Sequence, residues 1–386
     1  MVPNGWSLVK LGDVLTLGSG DTKPTDLQKE FSDDSPYPVY GGNNIMGYSS
    51  QKNSSDSVIL IGRVGEYCGV TRYINKACWI TDNALYTKTV SSEIDKEYLV
   101  SKLKKFDLSR LRNKGGQPLV SQKPIYAVKL PLPPLPEQQK IAKILSTWDK
   151  AISTTEKLIA TSKQQKKSLM QQLLTGKKRL LNPETGKAFE GKWEDLRVGE
   201  ITIKFSNKNK SSENIRVYSV TNNSGFVKQD EHFSKEVASE NRSTYKIVEN
   251  GDFAYNPARI NVGSIARFNG DIGIISSLYV CFKLKPKVHS EFFFQWLSTE
   301  KTKFDYCRYG EGSVRVYLWY EQFSKISVLL PSMEEQQKIA SVLTAADKEI
   351  ELLESKLAHL KQEKKALMQQ LLTGKRRVKV DLMETV

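Results

Sequence analysis

The sequence predicts a mixed α/β protein: two strand-rich globular domains separated by two long helices, which form an antiparallel coiled coil with pseudo-twofold symmetry. Three observations lead to this prediction. A segment of about 40 residues occurs twice, both copies carry a coiled-coil heptad pattern, and the regions before them are rich in strand-forming residues. At 386 residues the chain has room for two domains of ordinary size.

The duplicated segment begins EQQKIA in both copies, at Glu137 and Glu335, and continues without a gap to Gly176 and Gly374. The copies lie 198 positions apart, and 24 of 40 aligned residues are identical. Each follows a Pro-rich segment (PLPPLPE and LLPSMEE), has no internal Pro or Gly after EQQKIA begins, and ends in Leu-Leu-Thr-Gly, a typical helix stop. Each copy is therefore predicted to be one long helix.

The apolar residues of both copies recur at alternating steps of three and four. In the second copy they are Ile339, Leu343, Ala346, Ile350, Leu353, Leu357, Leu360, Leu367 and Leu371. In the first copy they are Ile141, Leu145, Trp148, Ile152, Ile159, Leu169 and Leu173. Thr155 and Ser162 weaken the first copy, and a lysine (Lys166, Lys364) takes one seam position in each. Sustained heptads predict a coiled-coil seam, whereas helices lying on a globular core would show a broader apolar stripe.

A weaker repeat precedes each helix, where Trp6–Val14 resembles Trp193–Ile201. Runs rich in β-branched and aromatic residues, such as 58–61, 77–86, 251–255 and 274–284, predict strands. The predicted segments are a first globular domain (1–136), a central helix (137–179), a linker (180–192), a second globular domain (193–334), a C-terminal helix (335–377) and a tail (378–386).

The duplicated layout predicts the direction of the helices. The first helix leaves the first domain and enters the second just before Trp193. If the repeat is structural, the second helix returns and ends just before Trp6, so the two helices are antiparallel. Roughly 40 residues at 1.5 Å each span about 60 Å.

Composition indicates a cytoplasmic protein without a zinc site. No stretch approaches the roughly 18 apolar residues of a membrane span, and the N-terminus lacks the apolar core of a secretory signal. Structural zinc sites need closely spaced Cys and His pairs. The cysteines and histidines are instead scattered: Cys68, Cys78, Cys281, Cys307, His232, His289 and His359.

The net charge of +15 suits a polyanionic partner, because phosphate neutralisation releases condensed counterions. Segment 137–180 has ten basic and three acidic residues and segment 335–379 has ten and six, so the helices hold +11 of this charge. Two interpretations stay open: solvated lysines on exposed helix faces, or helices that lie near DNA or an acidic partner.

The sequence motifs of DNA methyltransferases and of P-loop ATPases are missing from this chain. An adenine methyltransferase needs an Asn/Asp-Pro-Pro-Tyr/Phe loop for the flipped base and a Gly-rich loop for the methyl donor. The nearest match, Asn256-Pro257-Ala258-Arg259, lacks the second proline and the aromatic residue. No GxxxxGK[ST] phosphate loop is present. We therefore expect no catalytic site in this chain.

Two dissimilar globular domains joined by near-identical helices, each introduced by a Pro-Leu-Pro-like strand and EQQKIA and ending in LMQQLLTGK, closely resemble the specificity subunits of Type I restriction–modification systems. The resemblance covers the whole chain. It implies that each globular domain is a target-recognition domain for one half of a split DNA site. It also implies that the helices set the spacer and dock two methyltransferase subunits, and that restriction subunits with ATPase and nuclease activity complete the enzyme. S-adenosylmethionine, ATP and Mg²⁺ are then expected on those partners, with no cofactor on this chain.

Candidate DNA contacts are side chains in Gly-flanked or strand-end loops that can form bidentate contacts with base edges. In the first domain they are Arg63, Arg112, Lys114 and Gln117; in the second they are Asn256, Arg259, Arg308 and Arg315. Part of each set lies in a basic loop ahead of the long helix, at 112–117 in the first domain and at 308–315 in the second. For each residue an ordinary surface contact is the alternative.

Candidate partner contacts are the residues of EQQKIA that repeat without an evident core role. They are Gln138, Gln139, Lys140, Gln336, Gln337 and Lys338. Two functional alternatives remain at this point: a helical-hairpin scaffold or stand-alone nucleic-acid-binding protein, and a single-chain enzyme acting on DNA, which the missing motifs oppose.

Overall fold

The computed structural model describes residues 2–113, 115–210, 215–232, 242–312 and 316–380. The chain forms two compact units. Unit 1 comprises Met1–Lys157 and Ser355–Val386, and unit 2 comprises Leu158–Glu354. Each unit therefore contains part of both long helices, a division that differs from the six predicted segments. Among the described residues, no helix is long and apolar enough to cross a membrane.

Unit 1 is strand-rich, as predicted. Its strands are β1 (Ser7–Lys10), β2 (Leu15–Ser19), β3 (Tyr37–Tyr40), β4 (Ile45–Ser49), β5 (Val58–Gly62), β6 (Thr71–Ile74), β7 (Trp79–Ile80), β8 (Ala84–Val90) and β9 (Lys129–Leu132). Its helices are α1 (Leu11–Val14), α2 (Lys96–Phe106), α3 (Gln122–Tyr126) and the start of α4 (Leu135–Leu173), with a 3-10 helix at Leu108–Leu111.

The strands of unit 1 form three small sheets, with orders β1-β9, β2-β8-β5-β6 and β4-β3-β7. All neighbours are antiparallel except β3 and β7. Strand β5 is buried along its length because it lies between β8 and β6 and carries the apolar run VILI. Helix α2 covers this sheet and begins at Asp95, whose carboxylate accepts a hydrogen bond from the Tyr98 N–H at 2.7 Å, a typical N-cap.

Unit 2 contains the corresponding elements. Its strands are β10 (Glu194–Arg197), β11 (Thr202–Phe205), β12 (Val217–Thr221), β13 (Gly225–Lys228), β14 (Lys246–Glu249), β15 (Phe253–Tyr255), β16 (Ile265–Arg267), β17 (Ile272–Ile275), β18 (Val280–Leu284) and β19 (Ser327–Leu330). Its helices are α5 (Val198–Ile201), α6 (Gln229–His232), α7 (Ser290–Leu297), α8 (Glu300–Tyr309), α9 (Tyr320–Phe323) and the start of α10 (Met333–Leu371), with a 3-10 helix at Ile260–Val262.

The sheets of unit 2 correspond to those of unit 1, with β14 as an additional strand in the third sheet. Their orders are β10-β19, β11-β18-β15-β16 and β13-β12-β17-β14. Strand β15 holds the place of β5, and the parallel pair β12 and β17 holds the place of β3 and β7. The two globular domains thus share a topology although their sequences have diverged.

The ends of the long helices pack into the cores of the units. Leu371, the last residue of α10, and Leu372, which follows it, belong to the same buried cluster of unit 1 as Ile141 of α4. In unit 2, Leu173 of α4 shares a buried cluster with Leu343 of α10. Because these side chains are core residues, the helices are not separate from the domains, which explains why the compact units divide the chain differently from the predicted segments.

The predicted seam is confirmed by burial. Every apolar seam position named from the sequence is buried or half-buried, as are Thr155 and Ser162. The two seam lysines are half-buried and pair with carboxylates of the opposite helix, Lys166 with Asp347 in unit 2 and Lys364 with Asp149 in unit 1. These partners explain how a lysine is accommodated beside an apolar seam.

Ion pairs show that the helices are antiparallel within each unit. In unit 1, Lys361 and Lys364 of α10 pair with Glu156 and Asp149 of α4, so residue numbers rise on one helix as they fall on the other. Pairs at positions 163–354 and 166–347 give the same order in unit 2. Each pair of unit 1 has its counterpart in unit 2 at an offset of 198 residues. Four of the helix lysines are therefore engaged by acidic residues.

Each unit contains a buried glutamate carboxylate that is paired with an arginine. In unit 2, Arg179 donates to both oxygens of Glu335 at 2.6 and 2.7 Å, and Trp193 Nε1 donates to the same carboxylate at 3.1 Å. In unit 1, Arg377 donates to both oxygens of Glu137, each at 2.7 Å. We call these two contacts the arginine clasps.

The second helix ends where the repeat predicted. Gly374 has a φ of +70° and lies against Pro3 and Trp6, and Gly176 has the same φ and lies against Trp193. A positive φ is readily adopted by glycine, which lets the chain turn at these points. The long helices end at Leu173 and Leu371, six residues before the predicted ends at 179 and 377. The chain turns at the Leu-Thr-Gly sequence that follows each of them.

Candidate nucleic-acid interface

Two segments that are distant in the sequence of unit 1 form one surface. The loop between β5 and β6 contains Arg63, and its Val64 pairs with Leu119 in an isolated β-bridge. The Val120 N–H donates to the Arg63 carbonyl at 2.9 Å, and the Gly65 N–H donates to the Pro118 carbonyl at 2.8 Å. The structure thereby brings the predicted candidates of both segments to the same place.

Arg63 directly follows the buried strand β5 and is half-exposed. Its backbone N–H donates to the Asn83 carbonyl at 2.9 Å, which fixes the backbone, and its Nη1 donates to the Ser19 hydroxyl at 3.0 Å and to the Asp82 carbonyl at 3.5 Å. Among the described residues no carboxylate forms an ion pair with it. The guanidinium therefore keeps both its charge and most of its donors available for a ligand.

Asn113 shapes the loop that carries Gln117. Its Nδ2 donates to the carbonyls of Gly115 (2.6 Å) and Gln117 (3.2 Å), and its Oδ1 accepts from the Leu119 N–H at 2.8 Å. These bonds use the backbone of Gln117 and leave its exposed side chain projecting from the loop. A Cβ added at Gly115 or at Gly116 would meet nothing within 4 Å, so the loop surface is open to a partner.

The remaining candidates of unit 1 differ in what the structure shows. Arg112 is exposed, and its Nε donates to the Ser109 carbonyl at 3.0 Å, which orients the guanidinium without neutralising it. Lys114 lies outside the described residues.

Unit 2 brings together the equivalent segments. Asn256 and Arg259 follow β15 as Arg63 follows β5, and the Leu318 N–H donates to the Pro257 carbonyl at 3.0 Å. Arg259 is exposed at the start of the 3-10 helix. Asn256 Oδ1 accepts from the Ala258 N–H at 3.0 Å, so the NH₂ group and the second lone pair of Oδ1 are available to a ligand.

The prediction of a basic loop at 308–315 is wrong for Arg308. This residue lies in the last turn of α8, with its guanidinium 5.7 Å from the ring centre of Tyr309. Unit 1 has a short 3-10 helix where unit 2 has α8, so the repeat was a poor guide to this position. Arg315 lies outside the described residues.

Exposed aromatic side chains next to this loop were missed. Tyr317 and Trp319 are 39% and 47% exposed, and their rings stack at 6.4 Å with an interplanar angle of 20°. Leu318 between them is fully buried. The alternation of aromatic, leucine and aromatic is a two-residue period that could have indicated an exposed edge. Exposed ring faces can pack on base methyl groups or sugars.

Gln138 and Gln336, which were predicted to contact a partner, are buried within their own units. Gln138 is 2% exposed, and its Nε2 donates to the carbonyls of Glu93 (3.1 Å) and Pro133 (2.9 Å) while its Oε1 accepts from the Asp95 N–H at 3.0 Å. Gln336 makes the equivalent three hydrogen bonds in unit 2. The two amides repeat because they join each long helix to the loop before α2 or α7.

The other four candidates for partner contact remain accessible. Gln139 and Gln337 are exposed, and Lys140 and Lys338 are half-buried. In unit 2, Gln337 lies between two cavities of about 310 and 390 Å³ along the first turns of α10. Their walls include Phe189 on one side and His289 on the other. This helix face therefore offers concave surface to another molecule.

Comparison with known proteins gives a consistent result. A family model described as the Type I restriction modification DNA specificity domain matches residues 3–164 and again residues 190–362. The repeated match corresponds to the internal duplication of the chain.

Two curated relatives come from Methanocaldococcus jannaschii. The chain is 30% identical to the putative Type I restriction enzyme MjaX specificity subunit, over 83% of this chain and 76% of the relative. It is 27% identical to the Type I restriction enzyme MjaVIII specificity subunit, over 98% of this chain and 94% of the relative.

A solved structure has the same fold at low sequence identity. The S subunit of a Type I restriction–modification system from M. genitalium superposes with a TM-score of 0.67, covering 96% of this chain and 99% of that one, at 17% identity.

Proposed function

The chain belongs to the family of Type I restriction–modification DNA specificity subunits, and on that premise we propose that it recognises a bipartite DNA site, one half with each globular domain. Subunits of this family recognise DNA and are not themselves catalytic. The proposal concerns how this chain performs that recognition.

The equivalence of the two loop pairs carries the proposal. In each unit, the loop after the equivalent interior strand, β5 or β15, is hydrogen-bonded to the segment ahead of the last short helix, through Val64 and Leu119 or through Pro257 and Leu318. The shared topology therefore presents side chains of different type at equivalent places in the two units. Two equivalent surfaces with different side chains suit two half-sites of different sequence.

The long helices support a second part of the proposal, that they fix the spacing between the half-sites. Each is one continuous helix of 39 residues, about 58 Å at 1.5 Å per residue. Their ends belong to the cores of the units, and the arginine clasps hold those ends. Because each helix is held at both ends, a change in its length should change the spacing between the two half-sites.

We further propose that the exposed face near EQQKIA docks methyltransferase subunits. Gln139 and Gln337 are equivalent by the repeat and both exposed. Two equivalent surfaces suit two copies of one partner. In this scheme S-adenosylmethionine binds the methyltransferase subunits, and ATP and Mg²⁺ bind the restriction subunits.

The pure chain should leave DNA unmethylated in the presence of S-adenosylmethionine, and adding the methyltransferase subunits should produce methylation by a complex of two partners per chain. Methylation assays and analytical ultracentrifugation measure these two results. Substitution of both exposed glutamines by Glu (Q139E with Q337E) should weaken the complex, with K178E as a surface control. Methylation by the chain alone, or saturation at one partner per chain, would contradict the scheme.

A further inference from the structure

The two units differ sharply in how their charge is arranged near the candidate interface. In unit 1, the segment 104–112 (KKFDLSRLR) carries four basic residues and one acidic residue. Its exposed cations, which we call the basic strip, are Lys104, Lys105, Arg110 and Arg112. Among the described residues no carboxylate lies within 4 Å of any of them. The single acid, Asp107, caps the 3-10 helix by accepting from the Ser109 N–H at 3.1 Å.

The basic strip lies against the candidate interface of unit 1. Gly69, in the loop that also carries Arg63, has a φ of +88°, and a Cβ on it would lie 2.3 Å from the Ser109 nitrogen. The backbone of the strip is therefore packed directly on this loop. Any duplex that contacts Arg63 and Gln117 would have the strip beside it.

Two further cations, Lys364 and Arg72, and one carboxylate, Asp149, act on Lys104. Lys104 is exposed as a whole residue, yet burial around its ammonium group lowers its pKa, and Lys364 and Arg72 lower it further. Asp149 opposes this shift but is already paired with Lys364. Arg72 is hydrogen-bonded to the neutral Asn43 side chain at 3.0 Å rather than to a carboxylate.

In the corresponding region of unit 2 three lysines are paired with carboxylates, whereas Arg308 of α8 and Arg259 have no carboxylate partner among the described residues. Lys301 pairs with Asp305 at 2.9 Å and Lys303 with Glu300 at 3.7 Å, both within α8. Lys287, ahead of α7, lies 3.5 Å from Glu194. Carboxylates this close cancel most of the field of a lysine beyond a Debye length, which is about 8 Å at physiological salt.

We propose that the two units bind DNA by different physical means, an inference that rests on the proposed function. The basic strip of unit 1 binds the sugar–phosphate backbone of the duplex and supplies most of the salt-dependent affinity. Unit 2 presents fewer unpaired cations, Arg259 and Arg308, and contacts its half-site to a larger extent through uncharged surface, including the stacked rings of Tyr317 and Trp319 and the exposed side chain of Val262.

The salt dependence of binding tests this asymmetry. The complex of the full chain with its methyltransferase subunits is titrated with a fixed duplex of about 30 base pairs by fluorescence anisotropy at several salt concentrations. Each phosphate contact contributes about 0.9 to the slope of log K against log salt. The variant K104Q/K105Q/R110Q should therefore reduce the magnitude of the slope by about 2.7. The control K287Q/K301Q/K303Q removes the same charge from unit 2 and should change the slope by less than about 0.9.

Further variants separate charge from folding. The variant K104R/K105R/R110K keeps the charges and should keep the wild-type slope. If the side chains of the strip were needed for folding instead, this variant would lose slope as the glutamine variant does. Equal losses of slope in the strip variant and the unit 2 control would overturn the asymmetry and leave the proposed function standing. Absence of duplex binding by the wild-type complex would overturn both.

Discussion

Substitution of Arg179 by Ala is expected to lower the free energy of unfolding by about 3–5 kcal/mol, because it leaves a buried carboxylate without its cation. The Glu335 side chain is 1% exposed, and Arg179 supplies two of the three hydrogen bonds that its carboxylate receives. Arg179 also donates to the carbonyls of Gly191 and Glu190 at 3.0 and 3.2 Å, so its loss releases the linker as well. Urea denaturation measures the change.

Two controls isolate the buried charge. The variant Arg179→Lys keeps the charge but loses the bidentate geometry, so we expect an intermediate loss. The double variant R179L/E335L removes both charges and should recover much of the stability, since replacing a buried pair by apolar groups is often near neutral. The unit 1 clasp should be less sensitive, because Arg377 is 43% exposed against 24% for Arg179. A loss below about 1 kcal/mol for Arg179→Ala would show that Glu335 is solvated after all.

Substitution at the candidate interface is expected to relax recognition of one half-site only. Gln117→Ala should cost about 1–3 kcal/mol of discrimination at the half-site bound by unit 1, roughly 5- to 150-fold, and leave the other half unchanged. Its exposed side chain forms no hydrogen bond among the described residues, and its backbone carbonyl accepts from Asn113 Nδ2, so folding should be unaffected. Arg259→Ala is the matched variant for unit 2. Competition binding against duplexes with single base changes measures both.

The pattern of loss distinguishes base contacts from phosphate contacts. If Gln117→Ala weakened every duplex equally, the residue would contact the backbone and its assignment would be wrong. If it altered both half-sites, the two units would not recognise their halves independently.

The parts of the fold that depend on local periodicity could be predicted from the sequence. The heptads predicted which residues form the coiled-coil seam, and the internal repeat predicted that the second long helix ends beside Trp6. The strand order was not predictable, because it depends on pairings between distant segments, such as Val58–Gly62 with Thr71–Ile74. The proximity of Arg63 to the loop around Gln117 was not predictable for the same reason, because the Val64–Leu119 bridge joins distant segments and has no local sequence pattern.

Three candidate residues lie in other surroundings than the sequence suggested, for physical reasons. Gln138 and Gln336 repeat because each amide satisfies three backbone groups, and a polar residue that repeats for this reason looks the same in sequence as one that contacts a partner. Arg308 was misplaced because α8 has no counterpart of equal length in unit 1. Side chains were predicted by type, whereas exposure and pairing decide which of them are available.

The role of the helices can be tested by lengthening both of them. Four residues inserted after Ala160 and four after Ala358 keep the ion pairs on either side, Lys163 with Glu354 and Lys361 with Glu156. The insertions add about 6 Å at 1.5 Å per residue, or no more than about two base pairs at 3.4 Å each. A four-residue insertion loosens the supercoil locally without abolishing the seam. An insertion in α4 alone, which shifts one helix against the other, is the control.

Selection of bound duplexes from a random-sequence pool, by the complex of the chain with its methyltransferase subunits, tests the central claim most directly. We expect two short blocks of specified bases separated by a constant number of unspecified positions. The doubly lengthened chain should select the same two blocks with a gap longer by one or two base pairs. A single continuous block from the wild-type complex would contradict recognition by two separate domains, and an unchanged gap from the lengthened chain would contradict spacing by the helices.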